Sequence, residues 1–124
     1  MMKVSANGAL LVEDEVFVVL DVEDALRGHG IEIAAVYASN KEALEWLKNN
    51  RPSVAVIDFR LKDGNSVPVA KALHSMGIPT VVYSGNAFEA DLHREDFGDF
   101  PWVEKPGDPE DLLAAVKIAM RHSA

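Results

Sequence analysis

Short apolar runs alternate with segments of helical period along nearly the whole chain, and this alternation most restricts the folds open to it. Ala9 to Glu13 reads as a short buried strand. Val16, Val19, Leu20 and Leu26 then recur at helical spacing, with Asp21, Asp24 and Arg27 on the other side and Gly28 and Gly30 as the stop. Ile31 to Tyr37 is strand-like. Ser39 with Glu42 three residues on is a capping-box signature for a helix carrying Ala43, Leu44 and Leu47, which ends before Pro52. Val54 to Ile57 is a third strand. After a loop over Lys62 to Ser66, the residues Val69, Leu73 and Met76 mark a third helix, with Pro68 in its first turn and Gly77 past its end. Thr80 to Tyr83 is a fourth strand, Ala87 to His93 a short fourth helix, and Trp102 with Val103 a brief fifth strand. The last helix has Asp108 at its cap, Pro109 at its first position, and Leu112, Ala115, Val116 and Ala119 on its apolar face.

Five strands alternating with five helices predict an α/β domain: a doubly wound, five-stranded parallel sheet with helices on both faces and right-handed crossovers. Several strands are continuous apolar runs, as sheets covered on both sides require. At 124 residues the chain reads as one domain, long enough for a core without covalent staples. With no cysteine, a disulfide framework, a thiolate metal site and a cysteine nucleophile are excluded. The longest apolar run, Ile33 to Ala38, is far below the roughly 20 residues that span a bilayer, and no signal-peptide pattern opens the chain. The expected location is the cytoplasm. A net charge of -8, with most Lys and Arg standing singly among acids, argues against direct nucleic-acid binding, which needs clustered cations.

In parallel sheets, ligands bind beyond the carboxyl ends of the strands, where the strand order reverses. Those positions hold Glu13 and Asp14 after the first strand, Asp58 after the third, Ser84 after the fourth and Lys105 after the fifth. With strand order 2-1-3-4-5, the first and third strands are neighbours and their three carboxylates converge. Like charges that close need a compensating cation, and an all-oxygen set with room for water suits Mg²⁺. Ser84 would bring a hydroxyl and Lys105 an ammonium to the same spot. A carboxylate nucleophile flanked by such groups is equipped to accept a phosphoryl group.

The series L-L-V-E-D-E at 10–15, V-I-D at 56–58, Y-S-G at 83–85 and E-K-P at 104–106 resembles the receiver domain of two-component response regulators. The resemblance covers essentially the whole chain and implies the flavodoxin-like receiver fold. It further implies that Asp58 is the phosphoacceptor, that Asp14 ligates Mg²⁺ directly with Glu13 as its partner, and that the backbone carbonyl of Arg60 completes the protein's share of coordination. It makes Ser84 the hydroxyl that follows the phosphoryl oxygen and Lys105 the ion-pairing lysine, joined to Pro106 by a bond that is usually cis in the family. Trp102 holds the position of a switch aromatic, and Arg60 and Asn86 hold positions that tune phosphoryl lifetime. The implied donor is a histidine kinase or histidine phosphotransfer protein, and the signal passes to a downstream protein that the sequence does not name. A homodimer through the face between the fourth and fifth helices stays open. Residues 1–124 are expected to form a stand-alone receiver without an output domain, one that catalyses only its own phosphorylation and dephosphorylation.

Three departures from the family pattern stand out. Lys62 replaces a frequent proline in the loop after Asp58, Gly107 replaces a frequent aromatic, and tryptophan is a bulky choice at 102. Blander roles exist for each residue: helix capping for Glu13 and Asp14, turn chemistry for Asp58 and Ser84, solvation for Lys105, core packing for Trp102. None of them requires the others at matching strand ends. Four histidines, His29, His74, His93 and His122, lack metal-ligand spacing and are given no role, and the acid-rich stretch from Glu89 to Asp111 reads as a solvated face. Two rival functions remain: a degenerate receiver used only for binding or dimerisation, and a small phosphohydrolase of the haloacid dehalogenase kind. The latter places its nucleophile after the first strand with a second acid two residues on, whereas here Arg60 stands two after Asp58.

Overall fold

The computed structural model of the chain describes residues 4–5, 8–85, 93–105 and 107–121. Its centre is a five-stranded sheet of β1 (Ala9–Val12), β2 (Ile33–Tyr37), β3 (Val54–Ile57), β4 (Thr80–Ser84) and β5 (Trp102–Glu104). The spatial order is β2-β1-β3-β4-β5, with every neighbouring pair parallel, as the alternation predicted. Four α-helices occur among the described residues: α1 (Val16–Arg27), α2 (Asn40–Leu47), α3 (Val67–Ser75) and α4 (Pro109–Arg121). The helix expected over Ala87 to His93 lies almost wholly outside the described residues, as do Asn86 and Pro106. A short 3₁₀ turn, Arg94–Phe97, leads towards β5.

Strand alternation sends successive side chains into two separate cores. Leu10, Val12, Ala55, Ile57 and Val82 meet α2 and α3 through Ala43, Leu47, Val69 and Leu73. Ala9, Leu11, Val54, Val56 and Val81 meet α1 and α4 through Val22, Leu26, Leu112 and Val116. Both cores being filled, the central strands are apolar at every position.

One sequence expectation needs correcting. Val16 and Leu20 were placed on the buried stripe of the first helix, yet they are 68% and 51% exposed, and Phe17 is 83% exposed. A crossover helix starts past the carboxyl end of its strand and runs back over the sheet, so its first turn overhangs the edge. Burial begins with Val22 and Leu26, while Val18, Val19 and Ala25 pack partly against the core.

The loop after β3, where Lys62 replaces a frequent proline, has a defined shape. Arg60–Leu61 and Gly64–Asn65 form a small antiparallel hairpin, with Gly64 taking a φ of 122° that an L side chain would resist. Its turn residue Asp63 reaches the N-terminus of α2, where Oδ1 accepts from the Asn40 amide at 2.9 Å and Oδ2 from the Lys41 amide at 3.1 Å. The buried Asn40 side chain donates to Asp63 and to the Asn65 carbonyl, and accepts from the Val69 amide of α3. These bonds hold the Asp63 carboxyl below the usual carboxylate range, the Asn40 amide contributing most. Ser39 caps α2, accepting from the Glu42 amide while its hydroxyl donates to the Glu42 carboxylate, a variant of the expected capping box.

Candidate functional site

The register of β1 on β3 pairs Val12 with Ile57, so the residues immediately beyond both strands emerge side by side. The Asp58 amide donates to the Val12 carbonyl, and the Glu13 amide to the Tyr37 carbonyl, each at 2.9 Å. Glu13 is 7% and Asp58 6% exposed, two carboxylates taken out of water within one small volume. Asp14 and Glu15 follow at the surface as the chain turns into α1. One carboxylate oxygen from each of Glu13, Asp14, Glu15 and Asp58 lies within 4.8 Å of the others.

The opposing charge arrives from the far end of the chain. Lys105 follows β5 directly, and its amide donates to the Ser84 carbonyl at 2.9 Å. Its stem runs past Gly85, where an added Cβ would meet the lysine Cβ at 3.6 Å. Its Nζ donates to Glu13 Oε2 at 2.6 Å and stands 3.2 Å from Asp58 Oδ2. Glu13 Oε1 accepts from the Glu15 amide at 3.1 Å. Ser84 closes β4, buried beside the strand that carries Asp58.

Electrostatically the cluster is under-compensated. Burial pushes the Glu13 carboxyl up to about 7, with the Asp58 charge adding to the effect and the Lys105 hydrogen bond opposing it. For Lys105, burial disfavours the ammonium, but the bond to Glu13 and the charges of Asp58 and Glu13 outweigh it and raise its pKa. Lys105 brings one positive charge against four carboxylates. An oxygen-only donor set with two members open to water has the chemistry that a hard divalent cation such as Mg²⁺ takes, so the residues fit that ion.

Glu13, Asp14, Asp58 and Lys105 thus come together, with Ser84 at the adjacent strand end. Glu15 escaped the sequence reading. It sits at the N-cap position of α1 without a side-chain capping bond, leaving its carboxylate to the cluster. The signal for it was the unbroken acid run 13–15. Arg60 stands two residues beyond Asp58 in the hairpin. Trp102 turns its ring into an aromatic group, 5.0 Å from the Phe97 ring and 6.5 Å from that of Phe59, with Arg94 over it at 5.0 Å. Among the described residues its buried indole N–H has no hydrogen-bond partner, and neither has the Ser66 hydroxyl.

Compared with known families, residues 9–117 match the model of the response regulator receiver domain. The chain belongs to that family. The receiver is 26% identical over 113 residues to the transcriptional regulatory protein PdtaR of Mycobacterium tuberculosis, an alignment covering 90% of this chain and 55% of that protein. It is 27% identical over 117 residues to the DNA-binding response regulator MtrA of Mycobacterium leprae, covering 92% of this chain and 51% of that protein. The chain therefore spans about half the length of these relatives. Among solved structures, a response regulator receiver protein from Sinorhizobium medicae WSM419 superposes with a TM-score of 0.83 at 28% identity, covering 98% of each chain. Receivers generally depend on Mg²⁺ and interact with histidine kinases or phosphotransfer proteins, and this receiver carries an acidic cluster suited to that ion. No described helix is long and apolar enough to cross a membrane.

Proposed function

We propose that Asp58 accepts a phosphoryl group from a histidine kinase or histidine phosphotransfer protein. The observation that carries this reading is the contact of a buried Asp58 carboxylate with the Lys105 ammonium at 3.2 Å, inside a cluster of three further acids. In the reaction an Asp58 carboxylate oxygen forms a bond to phosphorus as the bond from phosphorus to the donor breaks. The leaving group departs with that electron pair, and Asp58 becomes an acyl phosphate. Lys105 pairs with a phosphoryl oxygen, the Ser84 hydroxyl donates to another, and burial keeps bulk water from the acyl phosphate. Mg²⁺, held by Glu13, Asp14 and Asp58 with the Arg60 carbonyl, would neutralise charge on the transferred group.

Phosphorylation changes the charge at Asp58, and the segment between Ser84 and Trp102 is the element that responds, with Trp102 as its switch aromatic and Arg60 and Asn86 setting the lifetime. Residues 1–124 act as one receiver unit in the cytoplasm, signalling through protein contacts, with a homodimer on the face between the helix expected over Ala87 to His93 and α4 as one such contact. The test is intact-protein mass after incubation with Mg²⁺ and acetyl phosphate. A gain of one phosphoryl group in the native chain, absent in Asp58→Asn and after prior chelation, is the expected result. No gain in the native chain would leave a receiver used for binding alone.

A further inference from the structure

We propose that Tyr83 is a positioning residue for phosphoryl transfer, its ring holding the Lys105 ammonium over the site. The inference rests on the reading of Asp58 as phosphoacceptor. Tyr83 precedes Ser84 on β4, so its side chain leaves the sheet on the opposite face, towards α1 and α4. Its ring lies under Lys105 Nζ at 5.6 Å from the centroid, within cation–π range of a lysine whose side chain is 11% exposed. Its hydroxyl accepts from the Gly107 amide at 3.2 Å, tying down the loop that runs from Lys105 into α4.

Gly107 explains why the ring can be there. A Cβ at that position would meet the Glu104 carbonyl at 3.0 Å, Val103 Cγ1 at 3.3 Å and Tyr83 Cε1 at 3.4 Å. The space beside residue 107 is filled by Tyr83 reaching across from β4, so the aromatic group that the loop itself lacks is supplied by the neighbouring strand. The same ring borders the small void beneath Glu13 and Asp58 on one side and the groove lined by Asp21, Asp24 and Pro109 on the other.

The arrangement matters because the other partners of Lys105 change during the reaction. In the proposed reaction Asp58 would give up a carboxylate oxygen to phosphorus and Glu13 would help to hold the metal ion, so neither would hold the ammonium as in the resting site. The Tyr83 ring is neutral and takes part in no bond that breaks. It keeps the ammonium over the site while the carboxylates are redirected, and it does not compete with the incoming phosphoryl group for charge.

The experiment compares the native chain with Tyr83→Leu and Tyr83→Phe, reading the initial rate of phosphorylation by acetyl phosphate and, separately, Mg²⁺ affinity by titration calorimetry. For Tyr83→Leu the expected result is a rate about tenfold lower with Mg²⁺ affinity undiminished, because a loosened Lys105 fails the phosphoryl group but leaves Glu13 and Asp58 freer for the ion. Tyr83→Phe, which keeps the ring, should stay within about threefold of the native rate. Should the leucine variant fail to fold, Tyr83→Met carries the same expectation. A native rate in Tyr83→Leu, an equal fall in rate and Mg²⁺ affinity, or a Tyr83→Phe rate as low as that of Tyr83→Leu would each overturn the assignment. A native chain that takes up no phosphoryl group would overturn the reading of Asp58 instead.

Discussion

Two polar regions of this receiver solve the problem of buried polarity in opposite ways. At the junction of α2, α3 and the hairpin, Asn40 spends both ends of its amide on backbone and carboxylate partners, and Asp63 stays at the surface while capping α2. At the ends of β1 and β3, two carboxylates are buried against one ammonium, and burial outweighs that ammonium at Glu13. In the first arrangement the polar groups find hydrogen-bond partners, so it fixes geometry. The second is charged and short of cations, so it holds its shape while keeping an appetite for a divalent ion. A functional site here is the place where compensation is left unfinished.

The sharpest way to break this contrast is to remove the ammonium. Lys105→Met strands two buried carboxylates, and losing one partner of a buried ion pair costs about 3 kcal/mol or more. Urea unfolding at pH 8 should show that loss without divalent ions and recover much of it in excess Mg²⁺. If Mg²⁺ restored nothing, the cluster would not be cation-seeking. At the junction, Asn40→Ala leaves the Val69 amide and the Asn65 carbonyl without their partner, at a cost of about 2 kcal/mol that Mg²⁺ should not touch.

A third test separates the regions by pH. A carboxyl raised from 4.5 to about 7 in the folded chain, as at Glu13, contributes stability that is fully present below 4.5 and is lost as pH climbs through 7. The depressed carboxyl of Asp63 contributes stability present above its ordinary value of 3.8 and lost as pH falls through its folded value. Unfolding curves of the metal-free protein should therefore lose the decline between pH 4.5 and about 7 in Glu13→Gln and soften the acid decline in Asp63→Asn. The same sign of change in both variants would erase the distinction.

What could be read beforehand followed from the sheet. Apolar strands in a parallel order bring their carboxyl ends together, and the polar residues at those ends, Glu13, Asp14, Asp58, Ser84 and Lys105, stood out because nothing else interrupted the runs. Residues whose role depends on reach were harder to see. Tyr83 looked like one more apolar strand position, since sequence carries no record of a ring crossing to a neighbouring loop. Asn40 and Asp63 are separated by 23 positions and meet only once the hairpin has formed. The first turn of α1 showed the right period but the wrong exposure, because period says nothing about where a sheet stops beneath a helix.

The bond between Lys105 and Glu13 joins residues 92 positions apart, and β5, which delivers the lysine, is the sheet's last strand in sequence. Loop closure of that length is an entropic cost met only after the intervening strands have condensed. The charge set is consequently complete only when the sheet's last strand is in place. A molecule halted with four strands in place would own the acids at the ends of β1 and β3 yet lack the ammonium that β5 delivers.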